Sequence, residues 1–327
     1  MKEYEIPEES NLVGDYFIEA GQLSVMAGYA GVGKSRAAIA LAVAGAKQSE
    51  WFGNPVHTKF RTMILQDENS KIRLKREFSE IDCEEINEFI KVSSAPELGI
   101  DFADKDFRED LKTEIESFKP DLFVLDPFSS VTEEDTKAEF RRVLVMIRRF
   151  LHAIDPTIAL MIVTHNNKPR GETQRGRGLM HSVTGSLVLT SMARTVFSIM
   201  PASDDTDDER VVFTVSKCNN GKAPPDTAWI RGNGVFKQVS NFDFEEFYKG
   251  NGGKKKEPKV TEEIIRELFD YGSRMLSRKE AVDELMRISG CGQNLAYESL
   301  RGEGPYARLL RYQKEGATTM ISLLSDE

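Results

Sequence analysis

The run Gly28-Tyr29-Ala30-Gly31-Val32-Gly33-Lys34-Ser35 carries the densest chemical signal in the chain. Glycines at this spacing let the backbone curl so that its N–H groups converge on an anion, with a lysine and a hydroxyl following at once. Such a loop suits the phosphates of ATP or GTP, with Gly28, Ala30, Gly31, Val32, Gly33, Lys34, Ser35 and Arg36 lining them. Lys34 is expected to reach the β- and γ-oxygens and the Ser35 hydroxyl to ligate Mg²⁺. The positive end of a following helix adds to the attraction. An apolar strand, Leu23 to Ala27, precedes the loop, and an Ala-rich helical pattern, Ser35 to Lys47, follows it. A chance Gly-rich turn would have neither.

Three further polar groups stand where apolar strands end. Asp126 closes Asp121-Leu-Phe-Val-Leu125 and fits the acid that assists Mg²⁺. Glu68 follows the strand Thr62–Gln66 and can orient and deprotonate a water attacking a γ-phosphate. Asp67 is its neighbour, but alternation turns one of the two carboxylates away. His165 ends the strand that begins at Ile158, where a polar side chain can sense the γ-phosphate. A helix-capping acid and a buried structural histidine are the plainer readings of Glu68 and His165.

Residues 167–178 carry Lys168, Arg170, Arg175 and Arg177 against the single acid Glu172, among several glycines. A mobile cationic loop of this kind suits backbone phosphates of single-stranded DNA, with little base stacking because no aromatic residue is present. Because it follows the His165 strand directly, its position can respond to nucleotide. Arg194 and Lys217, each beside a predicted strand, are candidates to act on a neighbouring subunit's phosphates; either can instead be a structural ion-pair residue.

Strands alternating with helices imply a mainly parallel, doubly wound α/β sheet. Residues 1–20 are expected to add a strand or flap rather than a domain. Thr195–Met200 and Arg210–Val215 flank an acidic turn, Ser203 to Glu209, which reads as a solvated hairpin tip. The Gly/Lys/Pro-rich stretch 249–259 is a linker by composition, dividing a core, 1–248, from a module, 260–327. In that module, helices over 261–271, 278–288 and 293–301 and two short strands around Glu315-Gly316 predict a winged-helix-like α+β unit. Ser277 and Glu280 form a capping box there.

The chain has 327 residues, 40% hydrophobic and 30% charged, with net charge −9, so any nucleic acid must bind through local basic patches. No apolar run is long enough to span a bilayer and the start lacks a signal-peptide pattern, so a cytoplasmic protein is expected. Cys83, Cys218 and Cys291 lie too far apart for zinc spacing and read as reduced thiols.

Taken in order, Gly28–Ser35, Glu68 with Asn69-Ser70, Asp126-Pro127, His165, Gly185-Ser186 running to Arg194, and Lys217-Cys218-Asn219 resemble the RepA-like branch of RecA-fold ATPases. These are hexameric replicative helicases of plasmids, phages and integrated elements, and the resemblance covers roughly residues 10–240. It implies a RecA-like P-loop core in a homohexamer, ATP sites between subunits, Arg194 as arginine finger, and loop 167–181 facing a central channel. A primase or replication initiator would be a separate protein. Where DnaB-type helicases carry Lys-x-Arg, this chain has Asn219, so no finger is available at that position. A remodelling ATPase that unwinds nothing, and a nucleotide-gated DNA-binding regulator, are the competing readings.

Overall fold

The structure is a computed structural model. It describes residues 10–67, 71–79, 81, 84–96, 99–134, 136–167, 176–184, 186–232, 235–249, 260–270, 274–316 and 318–324. The chain divides into two compact units, Met1–Gly250 and Asn251–Glu327.

In the first unit the strands are β1 (Asn11–Val13), β2 (Ile18–Glu19), β3 (Leu23–Gly28), β4 (Glu50–Trp51), β5 (Asn54–Pro55), β6 (Thr62–Gln66), β7 (Ile90–Ser94), β8 (Leu122–Asp126), β9 (Ala159–His165), β10 (Thr195–Pro201), β11 (Arg210–Cys218), β12 (Thr227–Arg231) and β13 (Phe236–Gln238). The helices are α1 (Lys34–Lys47), α2 (Lys71–Glu77), α3 (Lys105–Phe118), α4 (Lys137–Ile154), α5 (Ser186–Met192) and α6 (Phe244–Lys249). Nine strands form one sheet in the order β13-β12-β11-β10-β3-β9-β8-β6-β7. From β10 through β7 the pairings are parallel, and β11, β12 and β13 extend the sheet antiparallel. The fold is thus mixed α/β around a large, mainly parallel sheet.

Parallel strands covered on both faces must be largely apolar on both, which is why β3, β6 and β8 read as mainly apolar runs and are buried at every residue. Successive side chains serve opposite layers. Met26, Ile64 and Val124 pack with α1, whereas Leu23, Val25, Met63, Leu65, Phe123 and Leu125 pack with α3 and α4. Helix α4 shows the matching periodicity: Phe140, Val143, Leu144, Ile147 and Leu151 form its buried stripe, and Arg141, Arg142, Arg148 and Arg149 are exposed. Each of those apolar side chains contributes about 1.5–3 kcal/mol by transfer before entropy is charged. Thr136 caps the start of α4 by accepting from the Glu139 amide.

The β4–β5 hairpin has no clear signature in the sequence, yet it seats Trp51 under α1. The indole donates to the Ala37 carbonyl at 3.0 Å and packs edge-on against Phe197 and Phe213.

The second unit holds α7 (Glu262–Leu268), β14 (Leu276–Ser277), α8 (Arg278–Ser289), α9 (Gln293–Ser299), β15 (Leu310–Glu315) and β16 (Thr318–Leu323). Its strands pair antiparallel in the order β14-β16-β15. Ile265, Leu268, Leu285, Leu300 and Ile321 centre its own core. The capping box is formed: Ser277 Oγ accepts from the Glu280 amide, and the Glu280 carboxylate accepts from Ser277. Among the described residues no helix is long and apolar enough to cross a membrane.

Candidate nucleotide site

The loop between β3 and α1 has the backbone that its glycines imply. Gly31 and Gly33 lie at φ 73° and 100°, in the left-handed region that other residues avoid. At Gly28 the requirement is room. A Cβ there would stand 2.7 Å from the Ile199 carbonyl oxygen of β10 and 2.8 Å from Val32. Val32 is buried, which pins the middle of the loop to the core, while Ala30 and Gly31 are exposed.

Lys34, the first residue of α1, is only 7% exposed. Its ammonium donates to the carbonyls of Gly28 (3.2 Å) and Tyr29 (3.0 Å) and lies 3.1 Å from Nδ1 of His165. A lysine has only donors to offer, so Nδ1 accepts and the ring hydrogen sits on Nε2. Strand register makes this contact possible, because Gly28 pairs with His165 across β3 and β9. Asp126 ends β8 beside Gln66 of β6 and is buried at 4% exposure.

These groups meet at the carboxyl ends of the parallel strands, where open α/β sheets gather their ligands. A polar cleft of about 270 Å³ there is lined by the loop, Lys34, Ser35, Asp126 and His165. Larger cavities lie against α4, but their lining is apolar and arginine-rich and includes none of these groups. The donors suit a polyphosphate with a divalent cation: backbone N–H groups and an ammonium for the anion, a hydroxyl and a carboxylate for the metal. Among the described residues no three His, Cys, Asp or Glu side chains gather to hold a metal by themselves.

The other sequence candidates divide. Glu68, Lys168, Arg170 and Arg175 lie outside the described residues, as does the side chain of Arg177, whose backbone belongs to the 3₁₀ turn Gly176–His181. The ends of the basic segment are placed. Asn167 N–H donates to Ser182 O, and Thr184 N–H donates to His165 O, so the segment leaves and rejoins the fold at the tip of β9. Just beyond it, Leu179 is buried in a cluster with Met200, Val212 and Phe247, against which Tyr29 of the phosphate loop packs. Asp67 is exposed, its N–H on the Asp126 carbonyl.

Arg194 and Lys217 lie at the opposite ends of the strands, beside the starts of β3 and β10. The Arg194 amide bonds the Leu23 carbonyl at the start of β3, roughly 16 Å of strand from Gly28. Neither reaches this chain's own cleft. Arg194 is exposed, whereas the Lys217 ammonium donates to the carbonyls of Thr190 (2.6 Å) and Ala193 (2.7 Å) at the end of α5. That is a C-cap, a structural task. Burial, and then the charge of Arg194, hold the Lys217 pKa below the ordinary lysine value.

Arg73, only a weak candidate for a trans-acting group in the sequence, lines the cleft, as do Glu209 and Arg231, which the sequence does not mark as site residues. Glu77, also unmarked, pairs with the cleft arginines without lining the cleft. Glu77 is buried and takes Arg36 at 2.9 Å and Arg73 at 3.9 Å, so Arg36, in the first turn of α1, is held by α2. The Arg73 side chain is 57% exposed, in keeping with a solvated helix-face charge, and it also lines the cleft. Glu209 also lines it while remaining exposed, so the β10–β11 tip is solvated, as its composition implies, and also borders the cleft. Because β10 runs parallel to β3, the β10–β11 turn emerges on the phosphate-loop side. Within that turn Asp208 pairs with Arg210 at 2.9 Å, which holds its carboxyl well below the usual range. Arg231 ends β12 and donates to the Gly31 carbonyl at 2.6 Å. Its only sequence cue is position: a strand end, Thr227-Ala-Trp-Ile-Arg231, before Gly232-Asn-Gly234.

Compared with known proteins, the chain matches the family model for the AAA domain over residues 2–171, just over half its length. No curated protein matches it.

Proposed function

The chain belongs to the AAA domain family of P-loop ATPases, and from that premise we propose that it hydrolyses Mg²⁺-bound ATP and couples the step to movement on single-stranded DNA, as a homohexameric RepA-like helicase. The observation that carries the ATPase reading is the meeting of Lys34, Ser35, Asp126 and His165 around one polar cleft at the carboxyl ends of β3, β8 and β9.

In this reading the loop amides and Lys34 bind the β- and γ-phosphates, and Lys34 exchanges its carbonyl contacts for phosphate oxygens. Ser35 and Asp126 would hold Mg²⁺, which neutralises charge on those phosphates when bound. Residue 127 is proline, so no carboxylate adjoins Asp126 in sequence to activate water. That task falls to Glu68, which follows β6, the strand paired with β8. Glu68 takes a proton from the attacking water as the β–γ bond breaks, leaving ADP and phosphate. A neighbour's Arg194 would then stabilise charge on the transferring phosphoryl group, in keeping with its distance from its own cleft.

Coupling to DNA is supported by two attachments of the basic segment that holds Lys168, Arg170, Arg175 and Arg177. It is hung from the tip of β9 directly after His165, and its exit packs through Leu179 near Tyr29. Loss of the γ-phosphate would release His165 and shift both anchor points. The C-terminal unit, with its three helices and antiparallel β14-β16-β15 sheet, fits a winged-helix module with α9 as recognition helix, for DNA or for a partner protein such as a primase or initiator.

Glu68→Gln tests the reading. It should keep ATP and lose turnover, and the parent chain should separate a forked duplex while hydrolysing ATP. Hydrolysis without strand separation would leave a remodelling ATPase, and activity surviving in Glu68→Gln would leave a nucleotide-gated regulator.

A further inference from the structure

Arg231 lies well beyond residue 171, where the family match ends, yet it reaches the phosphate loop from the antiparallel extension of the sheet. Its stem lies against the loop: a Cβ on Gly33 would stand 3.0 Å from Arg231 Cδ. One guanidinium nitrogen, Nη1, donates to the Gly31 carbonyl, and the group lines the cleft. Its Nε is buried with no hydrogen-bond partner, and among the described residues Arg231 forms no salt bridge. The other cleft arginines differ, since Arg36 and Arg73 both lie on Glu77. A half-buried guanidinium that carries no ion pair and lines a cleft built for phosphate points to an anionic ligand.

Side matters as much as distance. In the sheet, β9 and β8 stand on one side of β3, and β10, β11 and β12 on the other. Asp126 and His165, which mark the γ-phosphate end, come from the first side, and Arg231 comes from the second. We propose that Arg231 is a nucleotide-binding residue of this site, gripping the α- and β-phosphates with its planar fork and leaving the terminal phosphate to Lys34 and His165. This rests on the ATP-binding reading above and adds that strands outside the family match complete the pocket.

The test is titration calorimetry of the full chain with Mg²⁺-ADP and with a non-hydrolysable ATP analogue, for the parent, Arg231→Ala, Arg231→Lys and Lys34→Met. Loss of a charge-assisted bond to phosphate should weaken ADP and the analogue in Arg231→Ala by the same factor, about 10- to 100-fold. Arg231→Lys, which keeps charge but loses the fork, should fall between. In steady state KM should rise by more than kcat falls. The ligand-free melting temperature reports loop collapse separately, and should change little beside the loss of ligand-induced stabilisation. Unchanged ADP affinity, a loss confined to the ATP analogue, or a drop in ligand-free stability that accounts for the whole effect would overturn the assignment. If the parent chain binds neither nucleotide, the ATP reading itself fails, and the two failures stay distinct.

Discussion

Replacing Lys34 with methionine separates binding from folding, because the structure sets opposite scales for the two. The substitution keeps the stem and removes the ammonium from Gly28 O, Tyr29 O and His165. Neither carbonyl is orphaned: Gly28 O still accepts from Asn166 N–H at 3.0 Å, and Tyr29 O from Val32 N–H at 3.4 Å. Losing a nearly buried ammonium also removes its desolvation penalty, so fold stability should move by no more than about 1 kcal/mol. Two charge-assisted bonds to β- and γ-oxygens, at roughly 1.5–3 kcal/mol each, sum to about 3–6 kcal/mol. That corresponds to a loss of about 10²- to 10⁴-fold in ATP affinity. Calorimetric titration with a non-hydrolysable ATP analogue reads the second quantity, and denaturant unfolding without ligand reads the first. An affinity within threefold of the parent chain would refute the assignment. So would a stability loss as large as the binding loss, since Lys34 would then act on the fold.

Three further outcomes follow from particular contacts. Gly28→Ala should lower the unfolding free energy by about 1–3 kcal/mol, because its methyl meets a backbone oxygen of β10 that the sheet holds in place; an unchanged denaturation midpoint would contradict the close approach. Ser277→Ala removes the α8 cap and should cost about 1 kcal/mol, read as roughly fivefold faster amide hydrogen exchange in α8; unaltered protection would show the box to be idle. For Lys217 the folded pKa lies below the unfolded one, so across the window between them the unfolded chain binds more protons and stability rises with pH. Urea midpoints at pH 8 and pH 10 should therefore rise for the parent relative to Lys217→Met, and a relative fall would reverse the argument.

Much of the site is legible in the sequence because its demands are local. The phosphate loop needs glycines at fixed positions and a lysine and hydroxyl directly after them, so eight residues carry the whole signal. Asp126 and His165 are legible for a related reason: each follows an apolar strand buried on both faces, and the carboxyl ends of such strands converge. Arg231, Glu209 and Glu77 are not legible, because nothing near them in sequence marks them. The Arg231 contact with Gly31 bridges two hundred positions and arises only because β12 is added to the far side of β10 and β11. Strands β12 and β13 are short and lie toward the sheet edge, where the apolar run that identifies β3 or β8 is absent. The acidic turn after β10 is largely exposed, as its composition predicts, but only the parallel alignment of β10 with β3 puts Glu209 beside the phosphate loop. Lys217 illustrates a different gap, since a lysine ending a strand looks the same in sequence whether it caps α5 or serves a neighbour.

Nucleotide state at Lys34 and His165 is proposed to reach the basic segment that holds Lys168, Arg170, Arg175 and Arg177. Steady-state ATP hydrolysis by the purified full-length chain, with Mg²⁺, should be measured with and without a single-stranded oligonucleotide, beside a variant carrying Arg175→Glu and Arg177→Glu. The expected result is turnover that the oligonucleotide accelerates in the parent and leaves unchanged in the variant, while basal turnover persists in both. No hydrolysis by the parent, or hydrolysis indifferent to the oligonucleotide, would contradict it.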